Sequence, residues 1–488
     1  MSIEKEIHIE RNFFFFLCFN FVLWVTAPLA FRSAPPLDVV EWMNVGLDWQ
    51  LVTYKHPNLP GILLQIGTIF SGKSAVSAYI LSQMCIAATL LGVYKIARIG
   101  LSVETAIVAS ASLIFVYYFT WPTPELNHNV LQMPIWVWFI YCFWWATQKP
   151  DNSRYWVLVG VFAGLGLWTK LSFGVLLLSS FIWISSGERR ELLFKFGPWL
   201  SLIILSLFVA ILAWQLDKAS WAPIEYAKLR TLVGGGSVLS FMGAYLAYMT
   251  LPIIFLVLFK AIGMKKNRIT GEYGSFVTAH LFLPLAVLVF IALTQKGGIR
   301  DAWAAPMFSL ATIWVLAAFG KKIDRHKTTK FLVATSIFTT SIAAAYAADL
   351  VFRDTISPKP KRGNWPILHM AKYFEEEFFK ETATDLRYVV GDMYQSGVIA
   401  LGSKNKIDIV VDGDFLKSTT ISYSDLNEKG FIALWRMGTT LKPTMRNLFE
   451  KFRFEKSMIR EVRFDWSKNN GTDKVAMNFV IFRPKNEK

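Results

Sequence analysis

The sequence predicts a polytopic, all-α membrane protein that ends in a small soluble α/β domain. Three observations carry that reading. Residues of the AVILMFWYC set make up 54% of the 488, and aromatics make up 15%. Of the 86 charged side chains, 42 fall in the last 138 residues, so the first 350 carry about half the roughly one-quarter charged content of a soluble domain. Apolar runs of spanning length recur along those 350 residues, separated by short basic strips. The body suits lipid and the tail suits water, which divides the chain into a membrane domain, 1–350, and a soluble domain, 351–488.

The net charge of +16 does not point to nucleic acid. Basic strips between apolar runs are the positive-inside pattern of a multi-pass protein, and no RNP, zinc-knuckle or helix-turn-helix signal accompanies them. Cys18, Cys85 and Cys142 all lie inside apolar runs, and the tail has no cysteine. Neither a CxxC metal spacing nor a disulfide framework is available there.

A span takes roughly 20 mostly apolar residues. Spans are expected near 13–31, 75–94, 105–121, 130–147, 155–169, 171–187, 199–216, 239–259, 275–294, 303–320 and 331–350. The first follows Arg11 as a signal peptide would, but its apolar run is long and its small-residue site poor, so it reads as an anchor. One stretch decides the parity. Between Arg154 and Glu188 the sole charge is Lys170. A single helix there would be on the order of 50 Å long against a hydrocarbon core of ~30 Å. Two short helices hinged around Lys170 fit, and the count becomes eleven. With the N-terminus inside, the strips Lys95/Arg98, Lys149/Arg154, Arg189/Arg190/Lys195, Lys260/Lys265/Lys266/Arg268 and Lys321/Lys322/Arg325/Lys327/Lys330 all fall on the cytoplasmic side. The tail from Val351 then lies outside. In it, Arg387–Gly391, Ile407–Val411, Gly430–Trp435 and Val475–Ile481 read as strands.

Polar residues at membrane boundaries are where chemistry is expected, because charge there is costly. The first external loop, 32–74, carries Asp38, Glu41, Asn44 and Asp48 within about a third of one helical face. Val39, Trp42, Met43 and Leu47 would face the bilayer, as on an interfacial helix with an acidic top. The plainer reading of Asp38 and Glu41 is a capping box, with Asp38 as the N-cap after Pro35 and Pro36. The loop continues through Lys55, His56 and Pro57. A second external segment holds Glu125, Asn127 and Asn129, the last suited to capping the next helix. Lys170, at the hinge, either snorkels to lipid phosphates or binds a ligand. Arg300, in Lys296-Gly-Gly-Ile-Arg300-Asp301-Ala-Trp303, either clamps a phosphate or pairs with Asp301.

Four of these segments together resemble the bacterial family 39 glycosyltransferases of the GT-C class, whose relatives include the aminoarabinose and galacturonic acid transferases of lipopolysaccharide. The resemblance rests on Leu37-Asp-Val-Val-Glu-Trp42 with Asp48-Trp-Gln-Leu51 and Tyr54-Lys-His-Pro57, on Glu125-Leu-Asn-His-Asn-Val-Leu-Gln-Met-Pro134, on Gly164-Leu-Gly-Leu-Trp-Thr-Lys170, and on Arg300-Asp-Ala-Trp-Ala-Ala-Pro306. These occur in the family's order over about 13–320. The resemblance implies a multi-pass enzyme of the bacterial inner membrane with a periplasmic C-terminal domain. Such an enzyme transfers a sugar from a polyprenyl-phosphate carrier to lipid A, lipopolysaccharide or another envelope glycan. It places the family's catalytic aspartate on Asp38, with Glu41 in support, and the His-Pro step on His56-Pro57. Aminoarabinose transferases carry an acidic residue before that step as a metal ligand; here it is Lys55, and Asn58 stands where many relatives have a second proline. A divalent metal ion stays open as a cofactor. Lys55, His56, Glu125, Asn127, Lys170 and Arg300 are the expected substrate-binding residues. The expected partners are the polyprenyl-phosphate sugar, a glycan acceptor and the bilayer, with no nucleic acid. A lipid-linked sugar flippase or transporter is the rival class. Against it, the polar residues gather at one face instead of at the midplane, and no duplicated halves occur.

Overall fold

The computed structural model describes the whole chain except residues 1–2, 47–48, 233–235, 264–270, 295–297, 357–361, 453, 468–473 and 486–488. Asp48, Lys265, Lys266, Arg268 and Lys296 therefore lie outside the described residues. In chain order the helices of the first part are α1 (Ile3–Phe31), α2 (Leu37–Gly46), α3 (Leu59–Ser71), α4 (Val76–Gly100), α5 (Val103–Ala111), α6 (His128–Gln148) and α7 (Ser153–Thr169). There follow α8 (Gly174–Ile184), α9 (Phe196–Lys218), α10 (Ala222–Leu232), α11 (Val238–Leu258), α12 (Gly271–Thr294), α13 (Ala311–Phe319) and α14 (Arg325–Ile356). The tail adds α15 (Ile367–Thr382), β1 (Tyr388–Gly391), α16 (Met393–Gly402), β2 (Asp408–Val411), α17 (Tyr423–Lys429), β3 (Phe431–Arg436), α18 (Pro443–Lys451), β4 (Arg460–Phe464) and β5 (Val475–Phe482). The chain packs as two units. The first comprises Met1–Thr26, Lys55–Leu59 and Tyr79–Ala344, and the second Ala27–Tyr54, Pro60–Ala78 and Ala345–Lys488.

The first unit is a bundle of apolar helices, and the protein is a multi-pass membrane protein. Among the described residues eight helices are long and apolar enough to cross a membrane: α1, α4, α6, α9, α11, α12, Asp301–Phe319 and α14. The other three expected spans fold as shorter helices. The segment at 105–121 is α5 followed by 3-10 turns at Ser112–Phe115 and Tyr117–Phe119. The stretch 155–187 breaks at Lys170, whose extended backbone ends α7 before a 3-10 turn, Leu171–Phe173, leads into α8. The break is tight because Gly166 has no side chain: a Cβ there would sit 2.4 Å from the ring of Phe173.

The hinge at Lys170 returns the chain to the face it left. Lys195 Nζ lies 3.5 Å from Asp151, so the two ends of 152–194 share one side of the bundle. A single crossing would have parted them. Other loop ends pair in the same alternating way. Tyr94 donates to Glu10, Tyr273 donates to the Ile96 carbonyl at 2.9 Å, and Lys321 N–H donates to Ala261 at 2.8 Å. Gly236 and Ile299 exchange backbone hydrogen bonds elsewhere. Inside the bundle, Trp24 Nε1 donates to Thr339 at 2.9 Å and Thr339 donates to Asn20 at 3.0 Å, joining the first and last spans through satisfied polar groups where water is absent.

The second unit is an α/β domain with the first loop folded into it. Its five-stranded sheet has the order β2-β1-β3-β5-β4, with β1 parallel to β2 and β3, and with β5 antiparallel to β3 and β4. The central strands are mostly apolar, and Val389, Val390, Ile432, Ala433 and Leu434 are fully buried, as expected where helices cover both faces. Met370, Phe374 and Phe378 form one buried stripe at helical spacing on α15, with Phe374 against Phe464 and Phe479 of the sheet. The helix α2 packs within this unit. Val39, Val40, Glu41, Trp42 and Met43 are all buried, each 2% exposed or less. The expected interfacial helix with a lipid-facing apolar side is therefore replaced by a helix buried around most of its circumference.

Candidate active site

In the first unit, the start of α6 gathers the polar residues of several segments. Asn127 is the N-cap: its side-chain oxygen accepts from Asn129 N–H at 2.9 Å and Val130 N–H at 3.2 Å. Asn127 and Asn129 thus exchange the roles expected of them. The Asn127 oxygen is committed to capping, while Asn129 Oδ1 accepts a 2.7 Å hydrogen bond from Lys170 Nζ. Lys170 is 8% exposed, and its ammonium also lies 5.8 Å from the ring of Trp303. Its head group is inside the protein, so snorkelling does not describe it.

Trp303 brings Arg300 into the same region, because Arg300 immediately precedes the 3-10 segment Asp301–Leu310. The expected local pair with Asp301 is not formed. Asp301 accepts from Tyr248 Oη at 2.7 Å and from the Ala302 N–H at 3.0 Å. Among the described residues the guanidinium of Arg300 has no hydrogen-bond or ion-pair partner, and its Nε is buried. A buried donor without an acceptor is costly, and a bidentate oxyanion is the ligand that a guanidinium matches best.

His56 closes another side. Its ring stands 4.7 Å from that of His128 and edge-on to Tyr226 at 5.4 Å, while His128 Nε2 contacts the Pro57 carbonyl at 2.9 Å. Tyr226 belongs to α10 and carries Arg230, whose Nε donates to the Tyr226 hydroxyl at 3.0 Å. Burial holds the His56 pKa well below its ordinary 6.5, and His128, Lys170, Lys55 and Arg230 push it in the same direction. His56 is therefore neutral at pH 7, surrounded by cations and by the positive end of α6. A depressed histidine pKa means that the unfolded chain takes up a proton that the fold refuses. Its stabilising contribution is present above about pH 6.5 and is lost as pH falls below that. The melting temperature in detergent should accordingly drop between pH 7 and pH 5, and His56→Gln should flatten that drop. An equally steep slope in the variant would remove His56 as its source.

In the second unit, α2 begins at Leu37, and Val40 N–H donates to the Pro36 carbonyl at 3.0 Å. Asp38 thus stands within the first turn and is half-buried; it is not the N-cap, so the capping-box reading does not hold. Glu41 is 1% exposed. Glu125, in the first unit, is half-buried in the bend before α6. Lys55 is half-buried beside His56 and acts on it electrostatically. Reading the sequence took Asn129 for a cap and missed the parts played by His128, Tyr226 and Arg230. Among the described residues no group of three or more His, Cys, Asp or Glu side chains gathers to hold a metal ion.

This architecture is shared with known proteins. Residues 55–214 match the family model described as dolichyl-phosphate-mannose-protein mannosyltransferase. No curated protein sequence matches the chain. Among solved structures, ArnT from Cupriavidus metallidurans bound to undecaprenyl phosphate superposes with a TM-score of 0.61 at 11% identity, over 96% of this chain and 97% of that one. Its apo state gives 0.60 at 12% identity over the same shares. The chain thus shares the fold of these two structures over nearly its whole length, and residues 55–214 are similar to the mannosyltransferase family model.

Proposed function

We propose that the chain transfers a sugar from a polyprenyl-phosphate carrier to a hydroxyl of an envelope glycan, lipid A or lipopolysaccharide foremost, at the periplasmic face of the bacterial inner membrane. Two observations support this reading: Lys170 is buried on Asn129 beside Trp303 at the start of a membrane helix, and the buried Arg300 Nε has no partner among the described residues; the two cations are read as an anion seat. The ArnT relative, of like fold, binds undecaprenyl phosphate.

In the proposed reaction the acceptor oxygen attacks the anomeric carbon of the sugar, and the bond from that carbon to the phosphate oxygen breaks. Asp38 takes the acceptor proton as general base, with Glu41 supporting it from the same helix. The electron pair leaves with the lipid phosphate, whose growing charge Lys170 and Arg300 neutralise. Lys55, His56, Glu125 and the Asn127 amide line the approach for the carrier headgroup. Among the described residues no group of three or more His, Cys, Asp or Glu side chains gathers to hold the divalent ion that the resemblance leaves open.

Purified protein given undecaprenyl-phosphate sugar and lipid A should release undecaprenyl phosphate only when the acceptor is present. Mass analysis of surface glycolipids from a deletion strain should show the loss of one sugar. Unchanged glycolipid masses, with lipid-linked sugar trapped on the cytoplasmic leaflet, would replace this reading with that of a flippase. The placement of the soluble domain has its own test. A reporter active only outside the cytoplasm, fused after Lys488, should be active; activity confined to a cytoplasmic reporter would overturn the eleven-span parity.

A further inference from the structure

We infer that α16 of the α/β domain positions the first loop, and that Gly397 and Tyr394 govern the reactivity of α2 without touching substrate. This rests on the reading of Asp38 as the base. The first loop grips α16 at three levels. At its start, Tyr394 Oη donates to the Arg362 carbonyl at 2.7 Å and lies 3.3 Å from the carbonyl of Pro35, two residues before α2. The next residue along, Gly363, accepts from the N–H groups of Ser33 and Ala34 at 2.8 and 3.0 Å. Together these fix the entry of the chain into α2.

In the middle of α16, Gly397 lets side chains of α2 come against the α16 backbone. Asn44 Nδ2 reaches the Gly397 carbonyl at 3.3 Å and the Val40 carbonyl at 2.7 Å. A Cβ on Gly397 would lie 2.4 Å from Val40 Cγ1 and 3.0 Å from Asn44 Nδ2. Valine in a helix has one strongly preferred rotamer, so its methyl cannot swing away and the helix itself must move. At the far end, Lys73 Nζ donates to the carbonyls of Ala400, Ser403 and Asn405 at 3.0, 2.9 and 2.6 Å. It satisfies acceptors that the end of a helix leaves open and complements its negative pole.

A short element of the soluble domain is thus held from end to end by a loop remote in sequence. The orientation of α2 matters for chemistry more than for folding. At 100° per residue, Asp38 points about 200° away from Val40, so contact with α16 fixes one face of α2 and leaves the carboxylate on the opposite face. A displacement of α2 by a fraction of an ångström moves that carboxylate while leaving the anion seat of the first unit chemically intact.

The test is a steric cycle on the full-length protein. Gly397→Ala should lower kcat by about ten- to a hundredfold, the cost of misplacing a reacting group by about 1 Å, with KM for undecaprenyl-phosphate sugar little changed. Alanine is the better helix former, which offsets part of the overpacking cost, so the melting temperature should fall only modestly while kcat falls about ten- to a hundredfold. Val40→Ala removes the methyl in the way, and the double variant Gly397→Ala/Val40→Ala should recover most of the lost kcat. Wild-type turnover in Gly397→Ala, or a loss that Val40→Ala does not relieve, overturns the inference. If Gly397→Ala does not accumulate, Tyr394→Phe decides: a several-fold lower kcat at constant KM supports positioning, and unchanged kcat overturns it. Asp38→Asn separates the two layers. Normal turnover there removes the base assignment, whereas the rescue pattern still decides whether α16 sets the geometry of α2.

Discussion

Asp38→Asn protein should turn over at least about a hundredfold more slowly than the natural chain, with donor affinity and melting temperature nearly unchanged. The structure sharpens this expectation. Asp38 lies inside the first turn of α2, which begins at Leu37, so the substitution removes no capping oxygen. What it does remove is a negative charge near the positive pole of the helix, about 0.3–1 kcal/mol of stability. Asparagine keeps the shape and one acceptor oxygen but cannot take up the proton of an attacking hydroxyl. A base therefore loses its function in a variant that still folds, and single-turnover measurement with saturating undecaprenyl-phosphate sugar isolates the chemical step. Near-normal turnover would move the assignment to Glu41 or Glu125. Of the two, Glu41 is already on the same helix and 1% exposed.

What the sequence could and could not disclose follows from the kind of signal involved. The apolar runs and the break at Lys170 are long-range patterns, and both survive into the fold. Strands β1, β2, β3 and β5 are β-branched or aromatic runs and are legible. β4, with Arg460, Glu461 and Arg463 among its five residues, is not. It is an edge strand, and edge strands carry charge to prevent further pairing. The interfacial reading of α2 failed because an apolar face has the same periodicity whether it meets lipid or a soluble domain. Nothing in residues 37–46 names α16 as the partner.

The site divides along the same line. Lys170 stands out in sequence because it is the sole charge between two apolar runs, and Arg300 because it stands in a short external segment at a helix entry. Asn129 and Asn127 differ by two positions in one short segment, and only the helix start at His128 decides which one caps. The missed α10 did leave a trace. Lys218, Lys228 and Arg230 lie between spans on the side where the positive-inside pattern expects few cations. An exception to that pattern is where a ligand for cations is to be sought, and Arg230 indeed stands beside Tyr226 and His56.

Lys170→Gln and Arg300→Gln should each weaken binding of undecaprenyl phosphate by roughly ten- to a hundredfold, the range expected when a charge-assisted hydrogen bond worth about 1.5–3 kcal/mol is lost. Protein accumulation should change far less. The reasoning differs for the two residues. Glutamine at 170 can still donate to Asn129, so the fold of the hinge is kept while the positive charge goes. At 300 there is no partner among the described residues to lose, and the buried Nε is itself relieved of an unmet hydrogen bond. Arg300→Gln should therefore leave the apo protein as stable as before, or more so, while binding falls. That opposition of signs is the mark of a residue kept for a ligand. Arg300→Lys refines the test, because lysine restores the charge without the planar fork and should recover only part of the affinity. Binding can be followed by the ligand-induced rise in melting temperature. Unchanged binding in both glutamine variants would reduce Lys170 and Arg300 to packing residues and remove the anion seat on which the proposed reaction stands.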